Sequence, residues 1–338
     1  MLEVGLIIIA VVGFVGSLIT IYDKKKTMRF RFKRGRKSYE KDFLRVKNKL
    51  NSFDFINAQV LICQGPHIQP PVLINEGAFV LPKNSLKKLS NLKGRELKNA
   101  KRPNDPCAVL PEKLNWEDNP LTLRFKSIWY SELCALREDK NTPTPTLITA
   151  NAVLYSEDEQ CLLVHRRSGL SDLFPNTLSS FGGAFMPNGL GDRFDSDLLA
   201  TVQREVSEES SLWTQISQDN TPSVVINEHS MNSLEVTYLG VNISKEQLAK
   251  MDPNWEGSLV KLRFDELGDE LADVSAWVIT GWVSILLWLS TGIPNSQSQI
   301  KFSGKAPIEL CDEIINNLRC DSMLSDTSNK REESKAAS

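Results

Sequence analysis

The chain carries only three histidines, and its six cysteines (Cys63, Cys107, Cys134, Cys161, Cys311 and Cys320) show no CxxC spacing and no partnering His cluster. Structural zinc needs closely spaced thiolates and imidazoles, and a disulfide framework belongs to short secreted chains, so the cysteines read as reduced cytosolic thiols. An excess of charge is also missing. Lys and Arg number 40 against 42 Asp and Glu, a net charge of -2, which agrees with an intracellular globular protein of one or two domains. No internal repeat is found. Pro66, Pro70, Pro71, Pro103 and Pro106 break up the first half and exclude long helices there.

What is present first is an uncharged run from Val4 to Tyr22, rich in Ile, Val, Leu and Gly. At ~1.5 Å per residue such a run spans a bilayer of roughly 30 Å. Lys24, Lys25, Lys26, Arg29, Arg31, Lys33, Arg34, Arg36 and Lys37 follow at once, and a basic flank stays on the cytoplasmic side. Met1-Leu2-Glu3 offers no basic n-region, so the run reads as an anchor rather than a cleaved leader. The expectation is a single-pass protein of the inner (cell) membrane with its soluble part cytoplasmic. The segment Lys24 to Arg102 is basic and the remainder acidic. Arg29-Phe30-Arg31-Phe32-Lys33 therefore reads as a contact with anionic lipid, with no nucleic acid polymer as partner. Gly5, Gly13 and Gly16 leave close-packing faces on the helix without forming GxxxG, in keeping with a homo-oligomer.

The organisation expected is an anchor at 1–23, a basic juxtamembrane segment at 24–52, an accessory region at 53–141, a hinge at 142–146, a catalytic-looking domain at 147–321 and a disordered tail at 322–338. Helical spacing runs from Ser38 to Leu50, and strand-like runs occur at Ala58 to Ile62 and Ala78 to Leu81. Further strands are expected at Leu147 to Leu154, Cys161 to Arg166, Ser233 to Val241 and Ser258 to Phe264. A second apolar stretch, Val274 to Ile293, reads as a buried core or dimer-forming helix in preference to a second membrane span.

The chemistry lies in Arg204-Glu205-Val206-Ser207-Glu208-Glu209, about twenty residues after Gly182-Gly183. On a helix, positions i, i+3 and i+4 share a face, so Glu205, Glu208 and Glu209 gather several oxygens at one place. Alone, the hexapeptide reads as a solvated face with an Arg204–Glu208 pair. With the Gly-Gly turn before it and strand-like segments on both sides, it reads as a site for Mg²⁺ or Mn²⁺, which take hard oxygen ligands. The helix is expected from about Asp197 to Ser211, capped by Asp195 or Ser196.

At these residues the sequence resembles the Nudix family, whose signature helix runs Arg-Glu-aliphatic-x-Glu-Glu-x-Gly-aliphatic. The likeness extends from Pro145 to Pro294, through Thr149 to Leu154, Cys161 to Arg167, Val236 to Ile243 and Leu259 to Phe264. Two positions depart from the pattern. Ser196 stands where a glutamate is expected, eight residues before Arg204 and flanked by Asp195 and Asp197, and Ser211 replaces the helix-ending glycine. The loop Ala184 to Arg193 is also long.

The resemblance implies an α/β fold, a Nudix-type α/β/α sandwich with a mixed sheet, and hydrolysis of a diphosphate assisted by Mg²⁺ or Mn²⁺. It implies Glu205, Glu208, Glu209 and the carbonyl of Gly183 as metal ligands. Glu208 would be ligand or base, Arg204 an orienting residue, and Glu256 a catalytic acid or, more simply, a surface turn residue. Two functions stay open. One is a membrane-tethered Nudix hydrolase acting on a nucleoside-diphosphate derivative. The favoured one follows from the anchor-plus-Nudix architecture, which is similar to membrane-Nudix effectors of bacterial CBASS antiphage systems. There the soluble domain would bind a cyclic oligonucleotide and the membrane helix would compromise the bilayer.

Overall fold

In the computed structural model the described residues are 40–67, 71–82, 105–111, 114, 120–138, 143–169, 174–190, 193–212, 221–252, 257–291 and 300–318. The apolar run Val4 to Tyr22, the basic cluster after it, Glu256 and the tail from Ser322 lie outside them.

The centre of the fold is β5 (Thr146–Ser156), whose Leu147, Ile148, Ala150, Ala152, Val153 and Leu154 are all buried. A strand covered on both faces reads as a continuous apolar run, and that is its sequence. Along one edge it pairs in parallel with β10 (Ser233–Asn242), from Ser233 opposite Leu147 to Asn242 opposite Tyr155. Along the other edge it meets three antiparallel partners in turn: β3 (Pro106–Leu110), β8 (Phe181–Ala184) and β6 (Cys161–Arg167). β6 carries on to β11 (Gly257–Arg263) and to the short β7 (Leu178–Ser179).

Beyond β10 lie β9 (Ser223–Glu228) and then β1 (Val60–His67), and beyond β3 lie β4 (Thr122–Trp129) and β2 (Val72–Ala78). The result is one mixed sheet of 11 strands among the described residues. The segment 53–141 thus contributes β1 to β4 to this sheet, and β3 and β5 pair across residues 142–146.

Helices cover both faces. On one, α3 (Leu198–Ser210; α1 and α2 are helices 40–51 and Tyr130–Glu138) packs Leu198, Leu199, Val202 and Val206 over Ile148, Ala150, Val236 and Tyr238. On the other lie α1, α4 (Ile279–Thr291) and α5 (residues 307–318), with Phe43, Val46, Trp282, Trp288, Leu310 and Ile315 in a common core. Arg45 of α1 donates to both Asp312 oxygens of α5, at 2.6 and 2.7 Å, and Lys49 adds a third contact at 3.1 Å.

α4 is the second apolar stretch of the sequence. All 13 of its residues are buried, which favours the core-helix reading. At ~1.5 Å per residue it is about 20 Å long, short of a roughly 30 Å bilayer core, and no helix among the described residues is long and apolar enough to cross a membrane. Its Trp282 indole donates to the Leu271 carbonyl at 2.9 Å, satisfying its only polar atom. Trp288 closes on Gly240, where φ is +85° and a Cβ would stand 2.5 Å from the indole nitrogen. The β5–β10 register slips at this point.

Several local expectations shift. The cap of α3 is Asp197, whose carboxylate accepts from the Ala200 amide at 2.8 Å, not Asp195 or Ser196. Ser211 ends the helix in the left-handed conformation, φ 55°, that glycine adopts at lower cost. β1 runs past the expected Ala58 to Ile62, and β2 ends where the strand at Ala78 to Leu81 was expected to begin.

Candidate functional site

Arg204 organises the acidic face of α3. Its Nε and one terminal nitrogen donate to Asp195 at 2.9 and 3.1 Å, and the same nitrogen reaches the Ala184 carbonyl at 2.8 Å. The other terminal nitrogen donates to Glu205 at 2.6 Å and Glu208 at 3.1 Å. Burial disfavours the guanidinium charge, but hydrogen bonds to Asp195 and the charge of Glu205 outweigh this and raise its pKa above the ordinary value. Asp195, itself buried, also accepts from the Met186 amide at 3.0 Å and the Thr201 hydroxyl at 2.9 Å. The carboxylate expected at Ser196 is therefore supplied one residue earlier, while Ser196 bonds to Asp197. Sequence spacing puts this position at Ser196 and offers Asp195 only as its neighbour and a candidate cap; the structure gives it the bond to Arg204.

The Gly182-Gly183 turn brings β8 against the same face. A Cβ on Gly183 would lie 2.3 Å from a Glu205 carboxylate oxygen, so the absence of a side chain admits this approach. At Gly182 a Cβ would lie 2.0 Å from the Asn151 side-chain oxygen and also meet backbone, 2.4 Å from the Ala150 carbonyl oxygen. The Gly182 amide donates to Glu209 at 3.3 Å. Glu208 points outward and takes Arg193 at 2.5 Å.

Glu209 is buried at 6% exposure, and beside it lies His165 at 2%. The Nδ1 atom of His165 stands 3.4 Å from Glu209 Oε1, within ion-pair distance but not aligned for a hydrogen bond, and neither ring nitrogen has a hydrogen-bond partner. The ring stacks on Phe181 with centroids 5.9 Å apart. Burial is the main cause of a pKa lowered to about 4, with Arg167 adding to it, so the imidazole is neutral near pH 7. His165 lies in a strand that the sequence marks clearly, but no local signal points from it to Glu209.

A second buried acid sits on the opposite face of the sheet. Glu235 of β10 accepts from Asn151 Nδ2 at 2.7 Å, and Asn151 stands across from Gly182 in the β5–β8 ladder. Burial first, and the nearby Glu228 second, push its pKa up to about 8, against hydrogen bonds from Thr280 and Asn151. An acid in the middle of an apolar strand is the signal that could have singled it out.

The fold thus brings Gly183, Arg204, Glu205, Glu208 and Glu209 to one corner, and Glu256 lies outside the described residues. As the side chains stand, no group of three His, Cys, Asp or Glu among the described residues is placed to hold a metal ion. Arg204 draws Glu205 and Glu208 to itself, and Glu209 leans to the turn. The donor set nevertheless fits Mg²⁺ or Mn²⁺: three carboxylates stand on one helical turn, Glu205 against the bare backbone of Gly183 and Glu209 against the Gly182 amide, with no sulfur among them.

No family model and no curated protein matches the chain. Among solved structures it is similar to the MutT protein from Methanosarcina mazei Go1, at 15% identity and a TM-score of 0.32, over 43% of this chain and 92% of that one. It is similar to a bifunctional NMN adenylyltransferase/ADP ribose pyrophosphatase from Francisella tularensis, complexed with AMP and a Mn ion, at 12% identity and a TM-score of 0.35, over 45% of this chain and 44% of that one. A third likeness is to the NUDIX domain of Shewanella oneidensis NrtR complexed with ADP ribose, at 20% identity and a TM-score of 0.27, over 43% of this chain and 87% of that one.

Proposed function

We propose that this chain is a Nudix-fold protein that binds a nucleoside-diphosphate derivative together with Mg²⁺ or Mn²⁺ and cleaves the diphosphate with water. The observation that carries this reading is the meeting of Gly183 with the Glu205 carboxylate, on the helix that bears the family signature. Glu205, Glu209 and Glu208 would hold the cation, with the Gly183 carbonyl as a further donor, and the cation would shield the phosphoryl oxygens. The chain's own work is positioning. Arg204, locked by Asp195 and the Ala184 carbonyl, holds Glu205 and Glu208 by charge-assisted hydrogen bonds and keeps them at this corner, from which they would turn to the cation as it binds. Glu208, the exposed member, would act as ligand or as the base that takes a proton from water, and Glu256 would be a catalytic acid.

The N-terminal run Val4 to Tyr22 supports a membrane-tethered form of this activity at the cytoplasmic face. It also supports a second reading, the antiphage effector, in which the same corner binds a cyclic oligonucleotide and the membrane helix, in a homo-oligomer, disrupts the inner membrane. One experiment separates the two. The full-length chain in mild detergent is incubated with Mg²⁺ and a panel of linear nucleoside-diphosphate derivatives and cyclic oligonucleotides, and both cleavage and thermal shift are followed. Turnover of a linear diphosphate, lost in Glu205→Gln and Glu209→Gln, is the result expected of a hydrolase. Tight binding of one cyclic oligonucleotide with no turnover of any compound would overturn the hydrolase and leave the effector.

A further inference from the structure

We infer that His165 is a positioning residue for Glu209, its buried Nδ1–H donating to the Glu209 carboxylate and setting the direction in which that carboxylate faces Glu205 and Gly183. The inference rests on the divalent-cation reading of this corner and adds to it a residue outside the signature helix.

The geometry leaves the imidazole little else to do. It stands at 2% exposure, so water does not reach it freely, and neither nitrogen has a partner. A buried polar group without a hydrogen bond costs about 1–3 kcal/mol, and leucine or phenylalanine would fill the space against Phe181 without that cost. The ring is also held in place. Phe181 stacks on one face at 28° between planes, and on the Nε2 side Gly257 is so close that a Cβ there would lie 2.3 Å from Nε2. Two neighbours therefore restrict the ring, and the nitrogen that remains stands 3.4 Å from Glu209 Oε1.

Glu209 is meanwhile held at its other oxygen by the Gly182 amide at 3.3 Å. A carboxylate tied at one oxygen by the turn and at the other by His165 has a single orientation. Carboxylates that ligate metals are commonly held this way, and loss of such a partner typically costs about 10–100-fold in affinity. Making this contact a hydrogen bond takes a shift of a few tenths of an ångström together with a turn of the Glu209 carboxylate into line with Nδ1, and site hydrogen bonds are often long or poorly aligned before ligand binds.

The test is Mn²⁺ affinity of the full-length chain in detergent, read from the free-ion electron paramagnetic resonance signal. His165→Leu is expected to weaken Mn²⁺ about 10–100-fold. His165→Asn, whose amide nitrogen can stand in for Nδ1, is expected to recover most of that loss. In a Glu209→Gln background His165→Leu should add nothing further. The inference is overturned if His165→Leu binds Mn²⁺ as the parent does, if Asn rescues no better than Leu, or if the loss persists in the Glu209→Gln background. Should the parent chain itself bind no Mn²⁺, the cation reading falls and takes this inference with it, an outcome distinct from the other three. Nitrogen-15 spectra of the three histidines, recorded on the unmutated chain, do not depend on any variant folding. A neutral His165 protonated at Nδ1 and moving on addition of Mg²⁺ supports the role, and an Nε2-protonated ring indifferent to Mg²⁺ refutes it.

Discussion

Replacing Gly183 by alanine tests the central contact of the site. The added Cβ would stand 2.3 Å from one Glu205 oxygen, 2.7 Å from the other and 2.4 Å from the carboxyl carbon. Ordinary contact begins near 3.4 Å, so the carboxylate must retreat by about 1 Å, well beyond the tolerance of its 2.6 Å bond from Arg204. Misplacement of a reacting group by about 1 Å costs on the order of 100-fold in rate. Stability suffers less. Arg204 keeps Asp195, the Ala184 carbonyl and Glu208, so the loss is one charge-assisted hydrogen bond, about 1.5 kcal/mol. That corresponds to a few degrees in melting temperature. Gly182→Ala is the contrast, because besides the Asn151 side-chain oxygen at 2.0 Å its Cβ meets the Ala150 carbonyl oxygen at 2.4 Å and Asn151 Cα at 2.6 Å, backbone that cannot swing aside. It should lose about 4 kcal/mol or more. The assays are Mn²⁺ affinity, diphosphate turnover and a thermal melt on each protein. A Gly183→Ala protein with parental turnover, or one as unstable as Gly182→Ala, would refute the reasoning.

Asp195→Ala strands the buried Arg204 guanidinium, the Met186 amide and the Thr201 hydroxyl, and should cost about 3–5 kcal/mol in urea unfolding; a loss under 1 kcal/mol would mean that Arg204 is anchored elsewhere. Glu235 has its folded pKa raised to about 8, so the folded state holds this proton more tightly than the unfolded state. Its contribution is complete below the usual carboxylate range and declines as pH rises towards 8, and Glu235→Gln should flatten that slope between pH 5 and 9 in urea melts. Gly240→Ala forces a Cβ into the Trp288 indole at a φ of +85°, and should lower stability by about 3 kcal/mol or more with a shift in tryptophan emission. The full-length chain should stay with membranes after alkaline carbonate extraction, and deletion of residues 1–23 should release it.

Much of the sheet was legible because its strands obey local rules. β5, β6, β10 and β11 carry apolar runs or alternation that the chain shows without its neighbours, and the run Arg204 to Glu209 shows its helical face at once. β9 was not legible, since Ser223-Val224-Val225-Ile226-Asn227-Glu228 is short and buried nearly throughout, without a period. The partners of Arg204 and Glu209 were hidden for another reason. Asp195 lies nine residues before Arg204, one off the spacing of the motif, and His165 lies forty-four residues before Glu209, where spacing within a motif says nothing of it. His165 reaches Glu209 because β6 and β8 both pair with β5, next to the end of α3.

The clasp between Arg45 and Asp312 has a consequence for how the chain can be cut and rejoined. Residues 40–51 and 307–318 end up as neighbours on one face of the sheet, and α3 lies on the opposite face. A circular permutant that links α5 to α1 would join two helices already in contact, on the face of the sheet away from α3. Fluorescent partners fused beside these two helices would sit within energy-transfer range in the folded state, so their signal would report global unfolding while the site itself remained free for ligand.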